Sequence, residues 1–448
     1  MTKYFGTDGV RGVANQDLTP ELVLRIGRAA ALYLTEKHGP GPLVIGRDPR
    51  LSGQMLEGAL IAGVTSVGVD VYLLGVVPTP AVALLAKRFE GCGGIMISAS
   101  HNPLEDNGVK VFGGDGYKLD EDEERTIEEL MERDDYPRPI AGGVGSVFGK
   151  QDAVRLYLED LKENVPLDLT GLHIALDCAN GATSGYAAQL FRDLGAEVTS
   201  YYDQPNGVNI NHFCGSTFPE KIRELTKESG ADLGFAFDGD GDRVLAVDEQ
   251  GNLVNGDHIL AIVGLHLLEE DRLPARKVIA TAYSNGGLRQ VFLDNGGDVG
   301  YAPAGDRFVL DVMLKEGCIL GGEQSGHILF LENSTTGDGM LTALKLLETR
   351  KLRQTTLAEL SATMTEFPQV LENVTVENKD WKSNNRVCAA IAEGERQLAP
   401  QGRLFVRASG TEPVIRVMAE HPNEELLAQV VDAVVRVIAE EQKGSYAG

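Results

Sequence analysis

The 448-residue chain is too long for one hydrophobic core of ordinary size, so roughly three or four domains are predicted, and a hydrophobic fraction of 43% is enough to fill them. Its 41 Lys and Arg stand against 66 Asp and Glu, and the net charge of −25 excludes a general attraction to nucleic acid or an anionic membrane. Any anionic ligand needs a local basic cleft. The N-terminus MTKYFGTDGVRG has no apolar signal core, and no stretch reaches the roughly 18 uninterrupted apolar residues of a membrane span. Cys92, Cys178, Cys214, Cys318 and Cys388 are odd in number and scattered, with no C-x-x-C pair, which argues against a disulfide framework or a zinc site. A cytoplasmic protein with reduced, mostly buried thiols is expected.

Thr19-Pro20-Glu21 reads as a helix start, with Thr19 as N-cap and Pro20 at the first helical position, and Leu22, Ile26, Ala29, Ala30 and Tyr33 continue at helical spacing. LVIGRD from Leu43 reads as a strand. A helix from about Ser52, a strand around VDVYLLG, a helix after Pro80 and a strand through Ile95, Met96 and Ile97 follow, so strands and helices alternate. GLHIALDCANGATSG, from Gly171, opens a second unit of the same kind. Residues 277–350 repeat the rhythm in KVIATAY, VGYAPAG, CILGG and ILFLE with helices between them. Past Pro368 the pattern changes to a hairpin, RLFVRAS and VIRVMAE around SGTEP, then a helix with Leu427, Val430, Val431, Val434 and Ile438 on one face. The predicted class is α/β: three related α/β domains (1–152, 153–254, 255–367) and a smaller α+β C-terminal domain (368–448).

Four stretches carry chemistry. In GGIMISASHNP, Pro103 stops the chain after a core strand and leaves Ser100 exposed at the strand's C-terminal mouth, where open α/β sheets bind ligands. Taken alone, a serine-rich turn is the plainer reading and a reactive hydroxyl the sharper one. FDGDGDR is the strongest signal. Asp238, Asp240 and Asp242 alternate with glycines that let the backbone curl around an ion, and oxygen-only ligands favour Mg²⁺ or Ca²⁺ over zinc. An EF-hand is set aside, because its sixth position is Arg243 and VLAVD reads as a strand. RASGTEPVIR pairs Arg407 and Arg416 with a Ser-Gly-Thr turn, which reads equally well as a phosphate clamp or as a hairpin with surface arginines. GGEQSGH would present Glu323, Ser325 and His327 as a polar comb at period-2 spacing. Lys110 and Arg11, beside Gly-rich turns, read as ordinary solvated charges.

ISASHNP, DNGVK, DGDGDR, GEQSGH and RASGTEP, in this order along the whole chain, resemble the α-D-phosphohexomutase superfamily. YFGTDGVRG, GVNIN and CGST after Gly207, and AGDRF are most similar to its branch acting on glucosamine phosphates; a branch acting on mannose or glucose phosphates is the alternative. The resemblance implies four domains around a central cleft and an isomerase that interconverts glucosamine 6-phosphate and glucosamine 1-phosphate, feeding amino-sugar nucleotide and peptidoglycan precursors. It implies that Ser100 carries a phosphoryl group, and that Asp238, Asp240 and Asp242 hold Mg²⁺ together with a phosphoserine oxygen. Arg243 would lie beside the phosphoserine, and Lys110, His101, His327 and Arg11 would move protons or stabilise charge. Glu323 and Ser325 would hold sugar hydroxyls, and Arg407, Ser409, Gly410, Thr411 and Arg416 the unreactive phosphate. A glucosamine or glucose 1,6-bisphosphate activator is implied, with a homodimer left open. A non-catalytic sugar-phosphate or Ca²⁺ binding protein is the reading from another class.

Overall fold

The computed structural model describes residues 2–409 and 413–443. The chain forms two compact units, one of Met1–Tyr283 with Val299–Thr363, the other of Ser284–Asp298 with Met364–Gly448.

The first unit contains three sheets. The seven-stranded one has the parallel strands Val71–Val76, Leu43–Arg47 and Gly93–Ile97 side by side, followed by Asp106–Gly113 and Gly9–Val13, each antiparallel to its neighbour. The helix Pro20–His38 covers it, started by Thr19, whose Oγ1 accepts the Leu22 amide, and buries Val23, Ile26, Ala30 and Leu34. The second sheet centres on Leu233–Phe237, parallel to His173–Asp177 and antiparallel to Val244–Val247. The third runs Asp298–Ala302, Lys277–Thr281, Leu320–Gly322, Ile328–Phe330. Central strands with two neighbours need apolar residues on both faces, and Leu233–Phe237 and Gly93–Ile97 are buried throughout.

In the second unit Val414–Glu420 lies between Gln369–Thr375 and Arg403–Ala408, all antiparallel. The helices Asn385–Leu398 and Glu424–Glu441 close its core, in which Ile415, Val417, Leu427, Val431 and Ile438 are buried. The expected α/β class with a smaller α+β C-terminal domain is what the chain forms. The strand Asp106–Gly113 and the helices Pro219–Ser229, Gly256–Glu269 and Asn385–Leu398 were not legible in the pattern. The five cysteines are free thiols, four of them buried. Among the described residues no helix is long and apolar enough to cross a membrane.

Candidate active site

The strand Gly93–Ile97 runs into a turn that is itself buried. The expectation of an exposed Ser100 is corrected: it is 1% exposed, and its backbone is left-handed at φ 52°. A non-glycine residue persists there only where its surroundings over-determine it. Ser98 Oγ accepts the Ser100 amide at 2.9 Å and donates to Asp48 Oδ2 at 2.6 Å, so Ser98 is committed to the turn rather than offered to a ligand. Arg50, fully buried, pairs with the same carboxylate at 2.9 Å and donates to the carbonyls of Ser100 at 3.1 Å, Asn102 at 2.8 Å and Pro103. Asn211 Nδ2 donates to Ser100 and Asn102 carbonyls at 2.8 and 3.1 Å. So held, Ser100 Oγ donates to Asp238 Oδ2 at 2.6 Å and lies 3.2 Å from His101 Nδ1.

Residues 238–243 join two antiparallel strands in which Phe237 faces Val244. A Cβ at Gly239 would lie 2.4 Å from the Ser100 carbonyl oxygen, and Gly241 has φ 74°, so both positions require glycine. The loop curls. One carboxylate oxygen from each of Asp238, Asp240 and Asp242 lies within 4.8 Å of the others, and Oδ1 of Asp240 and of Asp242 is buried without a hydrogen-bond partner among the described residues. Convergent hard oxygens with acceptor capacity to spare fit Mg²⁺.

Lys110 and Arg11 are not the solvated charges that their neighbouring glycines suggest. Asp106–Gly113 is an interior strand, paired on both sides, and Lys110 on it is 1% exposed. Its Nζ lies 2.8 Å from Asp240, 3.1 Å from Asp8 and 3.2 Å from Asp242. Arg11, on the adjacent strand, pairs with Asp8 and donates to Asn102 Oδ1 at 3.2 Å. Arg243 donates its backbone N–H to Asp238 Oδ1 at 3.1 Å, and its Nε is 3.9 Å from Asp242.

The comb of Glu323, Ser325 and His327 is also corrected. They lie in the turn between Leu320–Gly322 and Ile328–Phe330, closed by the Glu323 N–H on the His327 carbonyl at 3.0 Å, so period-2 alternation does not apply. His327 is buried, its Nδ1 3.6 Å from Asp242 and its Nε2 3.7 Å from Asp306. Glu323 Oε1 accepts the Gly305 amide at 3.1 Å, and Ser325 Oγ is 3.5 Å from Glu323 Oε2.

These charges set one another's ionisation. Burial, then Asp242 and Asp240, pushes Asp238 well above the carboxylate range. Burial opposes the Asp242 charge too, yet Lys110 and His327 hold its carboxyl well below that range. Burial works against the Lys110 ammonium, but Asp240, Asp242 and Asp8 raise it well above its ordinary value. His101 is lowered to about 4 by burial, then by Arg243 and Arg11. His327 is raised in spite of burial, by Asp242 and Asp306. The site can neutralise an oxyanion from several sides.

In the second unit Arg407 faces Arg416 across the hairpin. The Ser409 N–H donates to the Val414 carbonyl at 2.9 Å, and the Ser409 carbonyl accepts Lys379 Nζ at 2.8 Å. Gly410 and Thr411 lie outside the described residues.

Models of the phosphoglucomutase/phosphomannomutase family match the chain in order: α/β/α domain I over residues 2–138, domain II over 155–251, domain III over 255–367 and the C-terminal domain over 371–437. A phosphoglucosamine mutase from an Exiguobacterium species is 50% identical over 448 residues, covering 98% of this chain and 99% of that one. The chain belongs to the phosphoglucosamine mutase family. The fold agrees with a phosphoglucomutase/phosphomannomutase family protein from Burkholderia thailandensis, with TM-score 0.83 at 24% identity over 100% of both chains. It also agrees with an N-acetylphosphoglucosamine mutase from Aspergillus fumigatus, solved with GlcNAc-6P and magnesium, with TM-score 0.69 at 20% identity over 98% of this chain and 96% of that one.

For this member of the phosphoglucosamine mutases, the residues that sequence reasoning missed are the ones holding the site in place: Asp8, Asp48, Arg50, Thr79, Lys118, Asn211 and Asp306. Thr79 binds Asp240 twice, Oγ1 to Oδ2 at 2.6 Å and N–H to carbonyl at 2.9 Å. Lys118, partly buried, pairs with both Asp8 and Asp306. A signal existed for three of them: Asp8, Asn211 and Asp306 fall inside GTDGVRG, GVNIN and AGDRF, stretches that mark the branch.

Proposed function

We propose that the protein interconverts glucosamine 6-phosphate and glucosamine 1-phosphate by way of phosphorylated Ser100 and a 1,6-bisphosphate. The observation that carries this reading is Ser100 Oγ held 2.6 Å from the first of three convergent carboxylates, on a turn fixed by buried partners. The phosphoryl group passes from Ser100 Oγ to O1 of the 6-phosphate, the bisphosphate turns end over end, and the phosphate on O6 returns to Ser100. Phosphoryl transfer asks the protein for in-line placement and charge neutralisation.

Asp238, Asp240 and Asp242 would hold Mg²⁺ together with a phosphoserine oxygen, and the ion would offset charge on the transferring oxygens. Lys110 and Arg243 add fixed positive charge around Ser100. Of the candidate bases, Lys110 and His327 are raised by their carboxylate neighbours, whereas the His101 ring is lowered and lies 3.2 Å from Ser100 Oγ, which favours it as the acceptor. A phosphoryl group on Ser100 brings about two negative charges beside that ring and raises its basicity toward the working pH. Glu323 and Ser325 would take sugar hydroxyls; Arg407, Ser409, Gly410, Thr411 and Arg416 would grip the unreactive phosphate. A 1,6-bisphosphate would prime Ser100.

The Aspergillus relative binds GlcNAc-6P and magnesium, which supports a sugar phosphate as substrate and Mg²⁺ as cofactor. The test is intact-mass analysis of the purified protein with turnover of glucosamine, glucose and mannose phosphates. One phosphoryl group on Ser100 and a preference for the amino sugar are expected. Faster turnover of glucose or mannose phosphates would overturn the substrate, and turnover with Ser100 unphosphorylated, or a protein that stays unphosphorylated after incubation with the bisphosphate and Mg²⁺, the mechanism.

A further inference from the structure

Behind the aspartate loop, within the first unit, a cavity of about 150 Å³ is lined by Tyr157, Asp338 and residues around them. Asp338 is 2% exposed and Tyr157 is likewise buried. The Tyr157 hydroxyl lies 2.9 Å from both Asp338 carboxylate oxygens, and Asp338 Oδ1 accepts the Leu341 amide at 3.0 Å, which starts the helix Gly339–Arg353. The backbone on either side of Asp338 touches the proposed chemistry. On one side, a Cβ at Gly337 would lie 2.4 Å from the His327 ring. On the other, the Gly339 N–H donates to the Gly241 carbonyl at 3.0 Å, and a Cβ there would lie 2.6 Å from the Arg243 carbonyl oxygen. Residues 337–339 are thus wedged between His327 and the aspartate loop, held by the Asp338 carboxylate and by Thr342 Oγ1, which donates to the Asp338 carbonyl at 2.7 Å.

The geometry points to Asp338, held by Tyr157, as a positioning residue for cation binding by the aspartate loop. Tyr157 sits on the helix Val154–Asn164, which supplies no group to the reacting centre. Its hydroxyl therefore acts through two steps: it fixes the Asp338 carboxylate, and that carboxylate fixes the Gly339 amide that holds Gly241 at its left-handed turn between Asp240 and Asp242. Slack at Gly339 loosens the convergence of those two carboxylates while leaving every proposed ligand and sugar contact in the chain. The inference rests on reading the aspartate loop as a metal site.

The test compares Mn²⁺ binding, followed by the loss of the free-ion magnetic resonance signal, in the full-length wild type, Tyr157→Phe, Asp338→Asn, Asp338→Ala and Asp240→Asn, with the melting temperature of each. Partners behind metal ligands typically contribute 10- to 100-fold to affinity, so one step further out Tyr157→Phe is expected to weaken Mn²⁺ by about threefold to tenfold. KM for the sugar phosphate at saturating Mg²⁺ stays unchanged. Asp338→Asn keeps an oxygen for both Tyr157 and the Leu341 amide and should bind within about twofold of wild type, whereas Asp338→Ala should not. Should Asp338→Ala fail to fold, Tyr157→Phe, which deletes one hydroxyl, carries the test. A Tyr157→Phe protein that melts earlier yet binds Mn²⁺ like wild type overturns the inference alone, since Asp240→Asn still weakens binding. A wild type that binds no Mn²⁺, or an Asp240→Asn protein that binds it equally well, overturns the metal site and the inference with it.

Discussion

The serine–aspartate site and the arginine hairpin both gather charge, but they hold it differently. Lys110, Asp240 and Asp242 are at most 2% exposed and packed against one another, whereas Arg407 is exposed and Arg416 half-buried on a regular three-stranded antiparallel sheet. A buried charge cluster is a mutual arrangement: removing one member strands the others in a medium that cannot solvate them, costing stability as well as function. A charge that water still reaches costs far less to disturb. The charged members of the first region should therefore answer a mutation in both fold and chemistry, and the second region only in what it binds.

Ser100→Ala should have the largest effect on turnover, a loss of at least about 10³-fold, because it deletes the one proposed acceptor. Its melting temperature should change little, and steady-state assays beside thermal melts check both. Lys110→Met should break the mutuality itself. With Asp8, Asp240 and Asp242 uncompensated, about 3 to 5 kcal/mol of stability should be lost, part of it returning with Mg²⁺. Urea unfolding with and without Mg²⁺ measures that, and an unchanged midpoint would place Lys110 outside the cluster.

Arg416→Lys probes the other side. Exchanging a planar fork for a point donor should cost about 1 to 3 kcal/mol in kcat/KM, raise KM for sugar phosphate and bisphosphate alike, and leave the urea midpoint in place. Ser100 phosphorylation should persist while more bisphosphate escapes per product formed. An unchanged ratio with an unchanged KM would make Arg416 a ladder residue only.

The smallest effect is a pH slope. Burial pushes the Asp338 carboxyl up to about 7, against the Leu341 amide and the Tyr157 hydroxyl, so the fold favours its protonated form. A raised folded value contributes stability that is full below the ordinary aspartate range, roughly pH 4, and is lost as pH rises through about 7. The wild-type urea midpoint should fall between about pH 4 and pH 7 and level off above it, and Asp338→Asn should flatten that fall. Equal slopes would mean that Asp338 does not titrate there.

The same contrast governs what the sequence showed. Strands such as Gly93–Ile97 and the helix Pro20–His38 were legible because period and caps are local. The aspartate loop was legible because three like charges around two glycines have few structural uses. Lys110 was not: a lysine in EDNGVKVF reads as solvated until Asp106–Gly113 is seen as an interior strand, and its partners are 102 to 132 residues away. Arg50 was invisible for the same reason, and Asn211 was legible only as part of GVNIN and not in its role, since both bond carbonyls of residues 100–103 that only the fold brings near. The His327 orientation was misread because a turn, not a strand, carries it.

The claim on which the account turns is that Ser100 carries the phosphoryl group. The direct test is to expose dephosphorylated protein and Mg²⁺ to radiolabelled glucosamine 1,6-bisphosphate, map the label by peptide mass analysis, and chase with unlabelled glucosamine 6-phosphate. Label on Ser100 that leaves in the chase as sugar phosphate is the predicted result. Label on Ser98 or elsewhere, or label on Ser100 that the chase does not move, would contradict it.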